Sequence, residues 1–294
     1  MSEGAAAALA PATPRPEGLA RLVLARFLRH RPAVGSVAVI VLLVLGAALA
    51  GDLGLPDPIR IELRHKFAPP LTAGHLLGAD ELGRDVLSRL LHAGRVSLTV
   101  GLAAMAVTVA FGALLGTLAG YYRGLVDTAL LRLTDAMLSF PPIFLLLALA
   151  AFVRPSLWTM TLIIGVTSWM DVTRMVRGQI LALREQEFVL GARGLGASGG
   201  RIMLRHLVPN TVGIVAVAAT LAVARAILLE SYISFLGYGI QPPLASWGNM
   251  LNNAQSYFTT APWVAIFPGV AITLAVTSFN FLGDGLRDAL GGQS

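Results

Sequence analysis

Residues 196–200 read Gly-Ala-Ser-Gly-Gly, a match to the G-x-S-x-G pattern that sets a nucleophilic serine on a sharp strand-to-helix turn in many hydrolases. The surroundings do not suit that chemistry. The approach to Ser198 has helical rather than strand spacing, the only later histidine is His206, and no acid lies between the two. An intramembrane protease needs serine and histidine inside apolar segments, yet Ser198 and His30, His65, His75, His92 and His206 all fall outside them. The chain has no cysteine, which removes disulfides, thiolate metal sites and a cysteine nucleophile. A nucleotide-driven motor is also missing. The phosphate-binding loop GxxxxGK(S/T) requires a lysine, and the one lysine, Lys66, is followed by Phe67.

The remaining candidates are polar groups inside apolar runs. Arg225 and Glu230 interrupt such a run, where each costs about 2.5–3.5 kcal/mol at the centre of a membrane helix. Five residues apart, they lie about 140° from each other on an ideal helix and are expected to face different neighbours. Lining a polar pathway and bonding across a subunit interface are equally open to them. Asn280 is a weaker polar candidate for the same cavity, and Asp135 and Asp171 stand at the ends of apolar runs.

The elements that hold these residues follow from composition. With 55% hydrophobic and 13% charged residues and a mean hydropathy of +0.73, the chain cannot cover itself with a water-facing surface. It is expected to be an all-α integral membrane protein, since apolar runs near the ~20 residues that cross a bilayer recur without alternation. Six spans are predicted: residues 33–50, 96–122, 136–153, 155–170, 207–224 (continuing to about 235) and 263–282. The first ends in Ala48-Leu49-Ala50, which imitates a signal-peptidase site. Its 18 apolar residues exceed a signal core, so an uncleaved anchor is expected.

The net charge of +6 is spread around the spans and forms no stripe for nucleic acid. With a cytoplasmic N-terminus, 14 of the 22 basic residues fall inside, 7 outside and Arg225 within a span. Both termini are therefore expected in the cytoplasm.

Residues 79–92 place Leu82, Val86 and Leu90 on one face, with Asp80/Arg84 and Asp85/Arg89 four apart, which predicts an amphipathic helix on the outer surface. Gly112, Gly116 and Gly120 form a small-residue stripe that lets another helix approach. Phe140-Pro141-Pro142 predicts a kink or a late helix start in the third span, and Pro268 the same in the sixth, so that both spans are expected to be bent. The uncharged outer stretch 237–262, with Gln241, Trp247, Asn249, Asn252, Asn253 and Tyr257, suits either a polar partner or an interfacial segment.

Between spans four and five the chain runs about 35 residues in the cytoplasm. Phe188, Ala192 and Leu195 form an apolar stripe on a short helix that Gly196 ends, and Ser198 can cap a second helix running into Pro209. Such a knob, wired directly to spans, could pass motion from a soluble partner to the membrane. The basic residues Arg193, Arg201 and Arg205 would equally rest a plain loop on anionic lipid.

This segment, ARGLGAS followed by RIMLRHLVPN, resembles the EAA signature of bacterial ABC-importer permeases, and specifically the C-type permeases of the dipeptide, oligopeptide and nickel family. Further similar stretches are HLLGADELGRDVLSRL, GYYRGLVD, SFPP, SFLGYGIQPPLASWGNML and LGDGLRDAL, and the likeness covers about residues 20–290. The resemblance implies a type I importer permease fold with six spans and a cytoplasmic coupling helix, in a bacterial inner membrane. It divides the chain into a flexible tail (1–30), a first anchor (31–52), an extracytoplasmic link (53–94) and a core permease domain (95–290) with its coupling loop at about 178–208.

It further implies that Glu187, Phe188, Ala192, Arg193, Leu195, Gly196, Ala197 and Ser198 dock on an ATPase. The implied partners are a second homologous permease, two ATPases that bind ATP and Mg, an extracytoplasmic solute-binding protein and the lipid bilayer. No cofactor is implied on this chain and no nucleic acid. The sequence departs from the signature at Leu190-Gly191-Ala192, where Glu-Ala-Ala is the pattern; Glu187, almost one turn earlier, is the nearest substitute. A membrane serine hydrolase and an ion-driven secondary transporter working alone are the competing readings. The second predicts internal repeats and paired mid-membrane carboxylates, and Glu230 is the only acid deep in a span.

Overall fold

The computed structural model describes residues 16–252 and 254–291, with residues 16–20 described as backbone alone. The first half of the expected flexible tail, residues 1–15, and Asn253 lie outside the described residues. Among the described residues there is no β-strand, only two isolated bridges.

Helix α1 (Pro16–Arg29) turns at His30 into α2 (Arg31–Leu49), whose first turn is capped by the His30 ring accepting from the Ala33 N–H at 3.2 Å. A largely irregular link then leads to α3 (Val86–Tyr122), 37 residues and about 55 Å long. The amphipathic helix expected over residues 79–92 begins only at Val86. Asp85 spends its carboxylate capping the Ser88 N–H at 2.7 Å and pairing with His75 at 2.8 Å, which fixes the helix start there. Arg89, freed from Asp85, turns to Asp80 at 3.4 Å; Asp80 also holds Arg84 at 2.7 Å, so that expected pair forms outside any helix. Residues 79–85 fold tightly against the earlier part of the link. Gly83 sits at φ +74°, and a Cβ there would lie 1.9 Å from the Glu62 carbonyl oxygen, so glycine is required.

After α3 come α4 (Gly124–Leu138) and α5 (Pro142–Phe152), separated by Ser139–Pro141 and bent by 85°, as the two prolines lead one to expect. Helix α6 (Leu157–Val166) starts at a Ser156/Thr159 capping box, and after a break at Thr167–Trp169 the chain continues as α7 (Met170–Leu183). Both pack along α3. Gly165 meets Val107, and a Cβ on Gly112, Gly116 or Gly120 would lie 2.5–2.7 Å from the nearest atoms of Val172, Thr173 and Ile180. The glycine stripe is thus the seat of α7.

The chain then forms α8 (Glu187–Gly194) and α9 (Gly199–Ile202), a π turn (Met203–Leu207) and α10 (Val208–Phe235). From Gly199 to Phe235 these make one continuous 37-residue rod. The Val208 N–H reaches back five residues to the Met203 carbonyl, a wide turn placed beside Pro209, which has no N–H to give. A short α11 (Trp247–Leu251) leads to α12 (Trp263–Gly291), which is helical through Pro268 without a break; the bend expected there does not interrupt the helix.

Among the described residues four helices are long and apolar enough to cross a membrane, Arg31–Leu49, Val86–Tyr122, Gly199–Phe235 and Trp263–Gly291, and α4 with α5 makes a fifth if the bent pair is one span. The expected fourth span is the ten-residue α6, continued along α3 by α7. The six spans are compatible with this arrangement but are not six uninterrupted helices. The main core joins α2, α3, α10, α11 and α12 around Val86, Ile227, Trp247 and Phe279.

Candidate functional site: a knob at one end of the bundle

The segment between α7 and the long rod is shorter than sequence spacing suggests, because α7 extends to Leu183 and the helix resumes at Glu187. What projects from the bundle is the knob 187–198. Helix α8 ends in a Schellman motif. Gly196 takes φ +79°, its N–H donates to the Arg193 carbonyl at 3.0 Å, and the Ala197 N–H donates to the Ala192 carbonyl at 3.1 Å. Gly196 therefore ends the helix as predicted. Ser198 occupies the position before α9 but its hydroxyl makes no capping bond, so the expected side-chain cap is absent; the Ile202 N–H is satisfied by the Ser198 carbonyl at 3.0 Å.

The expected apolar stripe points the wrong way for a buried face. Phe188 and Leu195 are exposed, Leu195 by 91%, and Ala192 is half-buried. The knob is anchored instead by Val189, fully buried, with Ile202 and the partly buried Ala197 against Val176 and Ile180 of α7. Sequence reasoning missed Val189, because its partners lie on α7 and α9 and no period within a single helix links it to them. Glu187 and Arg193 are exposed and form no ion pair among the described residues.

The base of the knob is clamped to three helices. A Cβ on Gly199 would lie 3.0 Å from the Tyr121 phenol oxygen at the end of α3. Arg184, just past α7, donates to the Tyr121 carbonyl at 2.6 Å, and Arg123 pairs with Glu185 at 2.8 Å. Farther along α4, the Asp127 carboxylate accepts from Arg177 Nε and Nη2 at 2.5 and 2.6 Å, and Asp135 meets Arg174 at 2.5 Å. Desolvation, with Arg123 and Arg193 nearby, holds the Arg184 guanidinium below its ordinary range while leaving it a cation. The arrangement is an exposed apolar tip on a base held against the ends of α3 and α7. It is unsuited to a hydrolase, because the segment before Ser198 is a helix and not a strand.

The three polar residues of the spans do not come together. Arg225 forms an ion pair with Asp171 at the start of α7, and both side chains are about half-exposed. Glu230 is buried within this chain, accepting from Ser97 at 3.1 Å and from Ser234 at 2.7 Å. Those hydroxyls in turn accept the Trp247 N–H and the Ile240 N–H, each at 3.1 Å. Glu230 thus ties α10 to α3 and to the loop after α10, with its side chain buried inside this chain. Asn280 is half-buried on α12 with no side-chain hydrogen bond among the described residues. Two amides of the 237–262 stretch, Asn249 and Asn252, turn inward, while Gln241 is exposed. Asn249 donates to the Ile240 and Leu244 carbonyls at 3.0 and 2.8 Å, and Asn252 to the Phe235 carbonyl at 2.6 Å.

A bundle of apolar rods carrying an exposed helical knob defines a multi-pass membrane protein. Residues 112–292 match the family described as binding-protein-dependent transport system inner membrane component, and the chain belongs to that family. It is 42% identical over 267 residues to the oligopeptide transport system permease protein OppC of Escherichia coli (strain K12), covering 90% of this chain and 88% of that one. It is also 41% identical over 219 residues to the dipeptide transport system permease protein DppC of Alkalihalophilus pseudofirmus, covering 74% of this chain and 72% of the relative. The protein is accordingly a multi-pass inner-membrane transport subunit.

Proposed function

We propose that this chain is one of two homologous permease subunits of an ATP-driven importer, and that the knob 187–198 docks on a partner ATPase and transmits its closure to the spans. The observation that carries the proposal is the contrast within the knob between a tip of 91% exposed Leu195 and a base of fully buried Val189. Phe188, Leu195 and the half-buried Ala192 supply the docking face, Glu187 and Arg193 flank it with opposite charges, and Gly196, Ala197 and Ser198 fix the turn. Without a phosphate-binding loop of its own, the chain relies on ATP and Mg bound by the two ATPase subunits.

The cargo we assign is short peptides, because the OppC and DppC relatives carry peptide transport in their names. An extracytoplasmic binding protein delivers them, and the knob and both termini face the cytoplasm, in keeping with the excess of basic residues on that side. Leu195→Asp in the reconstituted transporter tests the docking. Assembly should survive while peptide-stimulated ATP hydrolysis is lost, and unimpaired stimulation would contradict the proposal. Co-purifying the binding protein and finding which solutes raise its melting temperature tests the cargo.

A further inference from the structure

The exposed ion pair of Arg225 and Asp171 stands at the head of a cavity. A hollow of about 780 Å³ lies between α1, α7, α10 and α12, with Met175, Gln179, Asn210, Leu221, Asp284 and Arg287 on its walls. Its volume is in the range of sites that enclose small organic ligands. On α7 the wall residues Gln179 and Met175 continue, at four-residue spacing, to Asp171; on α10 Leu221 continues to Arg225. The pair therefore lies one helical turn beyond the lining, on the same faces of both helices, and joins those helices across the end of the hollow.

Its depth matters. Arg225 is ten residues before the end of α10 at Phe235, about 15 Å at the helical rise, inside an apolar rod of 37 residues that is longer than a ~30 Å hydrocarbon core. A half-exposed ion pair within such a rod is costly to leave against lipid tails, which favours a polar surrounding for it. Asp171 also follows the break between α6 and α7, and interrupted helices beside mid-membrane charges are where transporters hold solutes.

We propose that Arg225 and Asp171 form a cargo-reading latch. The pair holds α7 to α10 when the vestibule is empty. It exchanges partners when a solute carrying both a free ammonium and a free carboxylate enters, Arg225 taking the carboxylate and Asp171 the ammonium. The unblocked ends of a short peptide meet this requirement, with Met175 and Leu221 offering apolar surface to the side chain nearest the pair. This inference rests on the importer reading above and specifies the chemistry of the cargo within it.

The test uses the assembled transporter with Leu228→Cys as the only cysteine of this subunit, one turn past Arg225 on α10; the natural chain contributes none. A membrane-impermeant thiol reagent added from the vestibule side should label Leu228→Cys slowly. Millimolar trialanine should accelerate labelling by at least roughly fivefold, and N-acetyl-trialanine amide should not. Arg225→Gln should give fast labelling without peptide, and the exchange Arg225→Asp with Asp171→Arg should restore slow labelling. Equal effects of the free and blocked peptides, or slow labelling in Arg225→Gln, would overturn the latch. If Arg225→Gln does not assemble, the two peptides on the otherwise unaltered subunit decide the question. ATP-dependent peptide uptake by the same preparation, measured with the latch intact, reports separately on the importer reading.

Discussion

Val189 and Leu195 belong to the same short knob yet have opposite surroundings, the first fully buried against α7 and the second 91% exposed. Their substitutions should separate stability from coupling. Val189→Ala removes buried methyl groups and should cost roughly 1–3 kcal/mol, lowering the melting temperature of the purified subunit. Leu195→Ala should leave stability within about 0.5 kcal/mol and reduce peptide-stimulated ATP hydrolysis. A stability loss at Leu195 equal to that at Val189 would show that the tip is not free.

Gly196 holds the turn at φ +79°, and a Cβ there would meet nothing within 4 Å, so the cost of a substitution is conformational rather than steric. Gly196→Ala should therefore cost about 1–2 kcal/mol, and Gly196→Asn less, because asparagine tolerates the left-handed region. Proteolytic cleavage rates in the knob should rank alanine above asparagine above the natural glycine. Equal rates for all three would mean that the Schellman turn is not needed.

The glycine seat of α7 makes a harsher prediction. A Cβ on Gly112 would lie 2.5 Å from the Val172 Cβ, and one on Gly116 2.7 Å from the Thr173 carbonyl oxygen. Gly112→Val should separate α3 from α7 and lower the amount of folded subunit in the membrane, with an overpacking cost of about 1–3 kcal/mol or more. Gly191→Ala, with open space around it, should have little effect on the same measure.

Glu230 should behave as a structural residue. Glu230→Ala leaves the Ser97 and Ser234 hydroxyls without their acceptor and should cost about 1–3 kcal/mol in thermal unfolding, while Glu230→Gln keeps an acceptor and should cost less. Altered peptide selectivity with unchanged stability would return Glu230 to the passage.

Much of the fold is legible in the sequence because its signals are local. Apolar runs mark the rods, Phe140-Pro141-Pro142 marks the 85° bend, and Gly196 marks the end of α8. Local spacing misleads where tertiary partners outcompete it. Asp85 and Arg89 satisfy an i,i+4 rule, but His75 and the helix cap claim the carboxylate first. Phe188 and Leu195 share a helical period with Ala192, yet α7 is met by Val189, and only the position of a distant helix settles which face turns inward. Glu230 looks like a passage residue because the serines that satisfy it, Ser97 and Ser234, are inconspicuous in sequence and one is 133 positions away. Arg225 stands out within its apolar run, but its partner Asp171 lies on another helix, 54 residues earlier.

If the exposed tip of the knob touches a nucleotide-hydrolysing partner, as proposed, a cross-linker placed at Leu195 should reach that partner. The absence of native cysteine allows Leu195→Cys to be placed alone in this subunit and joined to nearby thiols by a short bifunctional cross-linker in intact membranes. A cross-linked product containing this subunit and its ATPase partner is the expected result. Recovery of uncross-linked subunit from Leu195→Cys and from Arg193→Cys alike, in membranes that carry out ATP-dependent uptake, would contradict it.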